Sequence, residues 1–198
     1  MFPKQRQEVI EKYNRQWELL DPAHRIEHFD SVFNTAIKII ERSLNLDVNP
    51  EEVFLVAYFH DLFTWSRNNH HFLSETFIRT TSCQIVKEFA PTPEAIDRVA
   101  LACREHRASW TGEFSGDLSR LMSAADRGIP SGAQSLLTRA LFYAAAHNAE
   151  KSDDEILTIS VKHIKEKFGR TGYTNIPLDH LELFRPEYEA LYQEIDEL

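Results

Sequence analysis

The sequence predicts an all-α protein. Residues 53–63 read VFLVAYFHDLF, an apolar run of eleven residues that suits a helix better than a single strand. The chain has 6 glycines and none before Gly112. Its long glycine-free tracts show apolar residues at helical period, the pattern of an α-domain. At 198 residues the chain is long enough for one large domain or at most two small ones, with a core of ordinary size, and with no convincing internal boundary it is read as one domain over 1–198.

Composition narrows the function. The formal charge is −9, from 22 basic and 31 acidic residues, which argues against a protein built to grip a nucleic-acid backbone. A small phosphorylated ligand needs only a local basic patch and stays open. Cys83 and Cys103 form no disulfide framework, so a reduced, cytoplasmic setting is the default expectation. The first twenty residues are charged throughout, with no apolar signal core, and no run reaches the length of a membrane span.

The elements follow in order. Lys4–Leu20 is an amphipathic helix with Val9, Tyr13, Trp17 and Leu20 on one stripe, broken by Asp21-Pro22. A short turn, Ala23–Glu27, carries His24 and Arg25. His28–Ser43 is a strong helix whose inner face is Val32, Ala36 and Ile39, and His28 begins that face. The core helix, 51–63, has Asn49 as its cap, Pro50 at the first position, and Glu51 and Glu52 at the positive end of its dipole.

Thr64–Phe72 reads as a polar loop ending in His70-His71, and Leu73–Phe89 as a helix. Ala90-Pro91-Thr92-Pro93 is punctuation, after which Thr92 caps a helix to about His106 with the stripe Ile96, Val99, Cys103, His106. Arg107–Gly116 is a loop. Asp117–Arg127 is helical with Leu118, Met122 and Asp126 four apart, and Gly128-Ile129-Pro130 ends it. Ala133–Asn148 reads as a buried helix. Ser152 and Glu155 form a capping box for a helix through Phe168, stopped by Gly169. After a loop over Gly172–Pro177, Leu178–Leu198 gives one or two helices, Pro186 opening the second. His147 and His180 read as structural or surface residues.

Five polar residues continue apolar faces: His28, His60, Asp61, His106 and Asp126. Withdrawing a carboxylate from water costs several kcal/mol unless a cation compensates it. A basic partner is one compensation and a metal ion is another. Ionisable groups on several helices of one bundle are satisfied together by a divalent metal in its core. Imidazole and carboxylate ligands suit Mn, Fe, Co, Ni or Zn more than Ca.

With those residues in place the chain resembles the HD-domain superfamily of metal-dependent phosphohydrolases. The family pattern H…HD…D is matched by His28 in EHFDSV, His60-Asp61 in AYFHDLF and Asp126 in SAADRG. The resemblance covers roughly residues 20–150. It implies an HD-domain helical bundle, a five-helix core with helices added at both ends. It implies one divalent transition metal on His28, His60, Asp61 and Asp126, with Asp61 central to the catalysis. The expected reaction is hydrolysis of a small phosphorylated metabolite, a nucleotide first, with the metal activating water and polarising the phosphoryl oxygen.

The resemblance also suggests supporting roles. Arg127, Arg104, Arg107, Arg25, Arg67, Lys162 and Lys165 are candidates for neutralising the phosphate. His71 and His106 correspond to the second-metal histidines of two-metal members, with His70 an alternative to His71. In one-metal members a residue placed like His106 serves as proton donor or phosphate contact. The Glu that many relatives carry three residues after His-Asp is here Thr64, so either Glu75 or Glu105 replaces it as base or the metal-bound hydroxide suffices alone. His163 resembles a C-terminal segment of some pyrophosphatases, and His24 lies where a substrate contact could fall. Trp65, Trp110 and Tyr173 are candidate stacking partners for a base. Two alternatives stay open: a di-iron oxygenase using His28, His60, Asp61, His71, His106 and Asp126, and a non-catalytic nucleotide-binding regulatory domain. A homodimer is left open as well.

Overall fold

A computed structural model describes residues 1–20, 25–43, 46–66, 68–107, 110–128, 132–174 and 178–198. The Asp21-Pro22 break, Ala23, His24, Arg67, Ile129-Pro130 and the end of the loop at Pro177 lie outside them. Among the described residues the chain is all-helical, with twelve helices and no strand. They are α1 Pro3–Lys12, α2 Asn14–Leu19, α3 Ile26–Arg42, α4 Pro50–Phe59, α5 His70–Thr80, α6 Gln84–Phe89, α7 Pro93–Glu105, α8 Asp117–Asp126, α9 Ala133–His147, α10 Asp153–Phe168, α11 Leu178–Leu183 and α12 Arg185–Glu197. No described helix is long and apolar enough to cross a membrane.

Three expected helices are divided or shortened. The first breaks at Tyr13, which is buried and lies edge-on to Phe59 and Phe77 at 5.5 and 5.7 Å. The helix expected over 73–89 begins earlier, at His70, and breaks at Thr81, whose hydroxyl accepts from the Cys83 N–H at 3.2 Å. A threonine offering the backbone such a partner competes with the helix ladder. The core helix ends at Phe59. The chain from His60 to Ser66 then folds in tight turns, with Thr64 N–H bonded to Asp61 O and Ser66 N–H to Phe63 O. His60 and Asp61 therefore stand at a helix end, not inside a helix.

The chain forms two compact units, Met1–Gly128 and Ile129–Leu198. In the first unit α4 is central: Glu52–Phe59 are all buried, against α3, α6, α7 and α8. Asn49 caps α4 through its side chain, and Thr92 does the same for α7. Two ion pairs brace this core. Arg6 donates to both oxygens of Asp30, and Arg98 to both oxygens of the buried Glu52.

In the second unit α10 packs on α9 and α12, and the Ser152–Glu155 capping box is formed. Helix α9 is expected from its sequence to be a buried helix. Only Ala133, Leu137 and Ala144 are buried, and Phe142 is 61% exposed. A unit of four helices encloses one stripe of α9 and leaves the other faces outside. His147 is exposed and stacks on Tyr143, while His180 is buried against the Tyr188 hydroxyl at 3.1 Å. Cys83 and Cys103 are both buried free thiols.

Candidate metal centre

Five helices of the first unit bring their ends to one place. His28 is the third residue of α3, His60 caps the C-terminus of α4 with Asp61 following, His70 opens α5, His106 caps the C-terminus of α7, and Asp126 ends α8. The C-termini of α4, α7 and α8 carry partial negative charge, which favours a cation. The N-termini of α3 and α5 oppose it, so the two carboxylates decide the sign.

The ligand-type atoms fall into two groups that share Asp61. Those of His28, His60, Asp61 and Asp126 lie within 4.8 Å of one another, and so do those of Asp61, His70 and His106. In the first group Nε2 of His28 is 3.3 Å from Oδ1 of Asp126 and 3.8 Å from Oδ2 of Asp61. Nε2 of His60 is 3.5 Å from each of the same two oxygens. In the second, Oδ1 of Asp61 is 3.4 Å from Nε2 of His70 and 3.2 Å from Nε2 of His106. Atoms sharing one ion at bonds of about 2.1 Å sit roughly 3–4 Å apart, and each of these histidine–carboxylate separations falls in that range.

The imidazole orientations test the fit. Nδ1 of His60 faces the carbonyls of Ala57 and Val56 at 2.9 and 3.2 Å, and Nδ1 of His106 faces the Cys103 carbonyl at 2.7 Å. Carbonyls only accept, so each Nδ1 carries the proton. A neutral ring then turns the Nε2 lone pair towards carboxylate oxygens. That contact is unfavourable unless the ring takes a second proton or an ion stands between. Helix carbonyls fixing the tautomer of metal-binding histidines are the usual supporting arrangement. The residues present fit a metal ion.

The electrostatics agree. Burial pulls His60 down, but Asp61 and Asp126 outweigh it and raise its pKa to about 9. Burial pushes the Asp61 carboxyl up, and His60, His106 and His28 more than reverse this, holding it well below the usual range. Asp126 is depressed in the same way by His28 and His60.

The neighbouring candidates take different places. The second group contains His70, not His71. His71 turns its Nδ1 to the Arg107 guanidinium, which donates to it at 3.3 Å. Periodicity alone leaves the pair undecided: His70 shares a stripe with the buried Ser74 and Ile78, while His71, itself buried, begins the adjacent row with Glu75 and Arg79. The stripe is legible only once the helix is started at His70. The Ser74 hydroxyl donates to the His60 carbonyl at 2.7 Å and ties α5 to the end of α4. Burial, then Arg107, lowers His71 to about 4.

Arg127 was expected at the phosphate. Its guanidinium donates to the carbonyl and hydroxyl of Ser123 and reaches the carbonyls of His106 and Arg107 at 3.5 and 3.4 Å, clamping the ends of α7 and α8. Neither candidate base is idle. Glu75 pairs with Arg79 at 3.2 Å and Arg104 at 3.7 Å, and the buried Glu105 accepts from the Ser115 N–H and hydroxyl. Arg104 also lies over the Phe72 ring at 5.1 Å. Arg25 is exposed just before α3. Lys162, His163 and Lys165 are exposed on α10 of the second unit. Trp65 is 58% exposed, four residues after Asp61; Tyr173 is exposed in the second unit, and Trp110 is half-buried.

Fold and site together define an all-α protein with a buried His/Asp cluster able to hold a metal ion. Comparison with protein-family models finds no match, and comparison with curated proteins and with solved structures finds none either.

Proposed function

We propose that this chain is a metal-dependent phosphohydrolase of the HD type, cleaving a phosphate ester or anhydride in a small phosphorylated metabolite, a nucleotide first among them. The observation that carries the reading is the division of one carboxylate between two groups: Oδ2 of Asp61 faces His28 and His60, and Oδ1 faces His70 and His106. When bound there, divalent ions supply Lewis-acid polarisation of a phosphoryl oxygen and an acidified water.

The chain's own groups support the rest. Asp61 and Asp126 set the charge of the centre, and the backbone carbonyls behind His60 and His106 hold those rings in one tautomer. Arg107 follows His106 directly and has no carboxylate partner among the described residues, so its guanidinium is suited to an anionic substrate. Trp65 offers an exposed aromatic face after the Asp61 turn, suited to a base. The test joins elemental analysis of the purified protein to phosphate and pyrophosphate release from a broad nucleotide panel. Release of neither by metal-loaded protein overturns the reading, and micromolar nucleotide binding without turnover then makes it a sensor.

The sharing of Asp61 between two groups favours one further reading, a di-iron oxygenase with His70 in place of His71. Two irons per chain with oxygen consumption would select it, and hydrolysis supported by Mn, Co or Ni would reject it.

A further inference from the structure

Behind the cluster, on the opposite flank of the α3–α4 seam, three polar side chains meet. The Tyr58 hydroxyl donates to Oδ1 of Asp30 at 2.5 Å, and Arg6 of α1 donates to Oδ1 at 2.7 Å and to Oδ2 at 2.6 Å. Asp30 stands two residues after His28, and Tyr58 two residues before His60. Two residues along a helix correspond to a rotation of about 200°. Each helix therefore offers a cluster histidine on one flank of the seam and a network residue on the other. Both flanks are closed: the rings of His28 and His60 are 5.4 Å apart, and Asp30 meets Tyr58. Phe29 is fully buried between them, its ring 5.5 Å from both His28 and His60.

We infer that Asp30, gripped by Tyr58 and Arg6, is a positioning residue for the metal centre, setting the rotation of α3 against α4 and with it the separation of His28 from His60. The inference rests on the metal reading above. A helix pair joined on one flank only can roll about the buried Phe29. A roll that opens the Asp30–Tyr58 contact turns His28 relative to His60. The network fixes this angle before an ion arrives, so the ion does not have to order the helices itself. Tyr58 is 2% exposed and its ring is packed by Phe33 and Phe54, so its hydroxyl is held in place. Arg6 brings α1 into the same joint, which gives the N-terminal helix a part in the site without touching it.

Titration of the full-length protein with cobalt(II) alone, followed by visible absorption, tests the inference. Measurements are made well below each variant's melting temperature. Asp30→Ala and Tyr58→Phe should each weaken cobalt binding, Asp30→Ala by about 10–100-fold, as losing a supporting partner of a ligand does. The cobalt absorption bands should shift as the ligand geometry loosens. Asp30→Asn keeps an oxygen for Tyr58 and should restore most of the affinity. Should Asp30→Ala fail to fold, Tyr58→Phe, which removes only a hydroxyl, carries the test. Variants that melt earlier yet bind cobalt with wild-type affinity and spectrum overturn the positioning role alone. Wild-type protein that takes up no cobalt and no other divalent metal overturns the metal reading and this inference together.

Discussion

Nε2 of His106 lies 3.2 Å from Oδ1 of Asp61, while Nδ1 of the same ring is spent on the Cys103 carbonyl at 2.7 Å. The contact is attractive only if a proton or a metal ion occupies the space between. His60 is in the same position towards Asp61 and Asp126. The centre is therefore able to hold a cation, and the consequences can be measured.

Asp61 is the one residue common to both groups. Asp61→Asn should weaken metal binding by at least about 100-fold, beyond the loss expected for a supporting residue. His106→Ala should remove only the ion on the Asp61, His70 and His106 side and leave the four-ligand group able to bind. Elemental analysis after dialysis against trace metal checks both. His106→Ala protein that binds no metal at all would show that the two groups act as one.

The metal-free protein should lose stability at alkaline pH. His60 is raised to about 9 in the folded state. Its contribution is fully present below the unfolded value of about 6.5 and is lost as pH rises through the folded value. Asp61 and Asp126 are depressed, so theirs is present above about 4 and lost as pH falls through their folded values. Burial holds His71 at about 4, so its contribution grows as pH rises from about 4 to the unfolded value, and thermal melts should peak at about pH 6.5 and fall towards about pH 9.5. Saturating metal should remove the alkaline fall, because the ion replaces the proton. A metal-free melting curve that stays flat from neutral to alkaline pH contradicts this.

Arg107→Ala should lower kcat/KM for phosphate release by about 10–100-fold, the worth of one hydrogen bond to a charged group. Metal affinity should be unchanged, since Arg107 is not among the ligand-type residues. Arg127→Ala should behave differently. It releases the ends of α7 and α8, so stability and metal binding should fall together.

Arg98→Ala leaves the Glu52 carboxylate, 6% exposed, without its partner. The cost should be about 1–3 kcal/mol. It should fall in the lower half of that range because Arg98 itself is 55% exposed. Urea unfolding should show a lower midpoint with an unchanged slope. Glu52→Gln should cost less, because no buried charge is left behind.

Much of this was legible in the sequence. The apolar run, the caps at Asn49, Thr92 and Ser152 and the scarcity of glycine determined an all-helical chain, because these are local signals that a helix reads over a few residues. The stripe that begins with His28 and those that end in His106 and Asp126, with the His60-Asp61 pair, determined which polar groups turn inward. Only the tertiary structure decided that His70 and not His71 faces Asp61, that Arg127 clamps two helix ends, and that Tyr58 and Asp30 close the far side of the seam. Each of these depends on where a helix begins or on which distant carbonyl or carboxylate comes within three ångströms or so. Periodicity says which way a side chain points from its own helix, but its partner belongs to another helix, and only packing sets the distance between them.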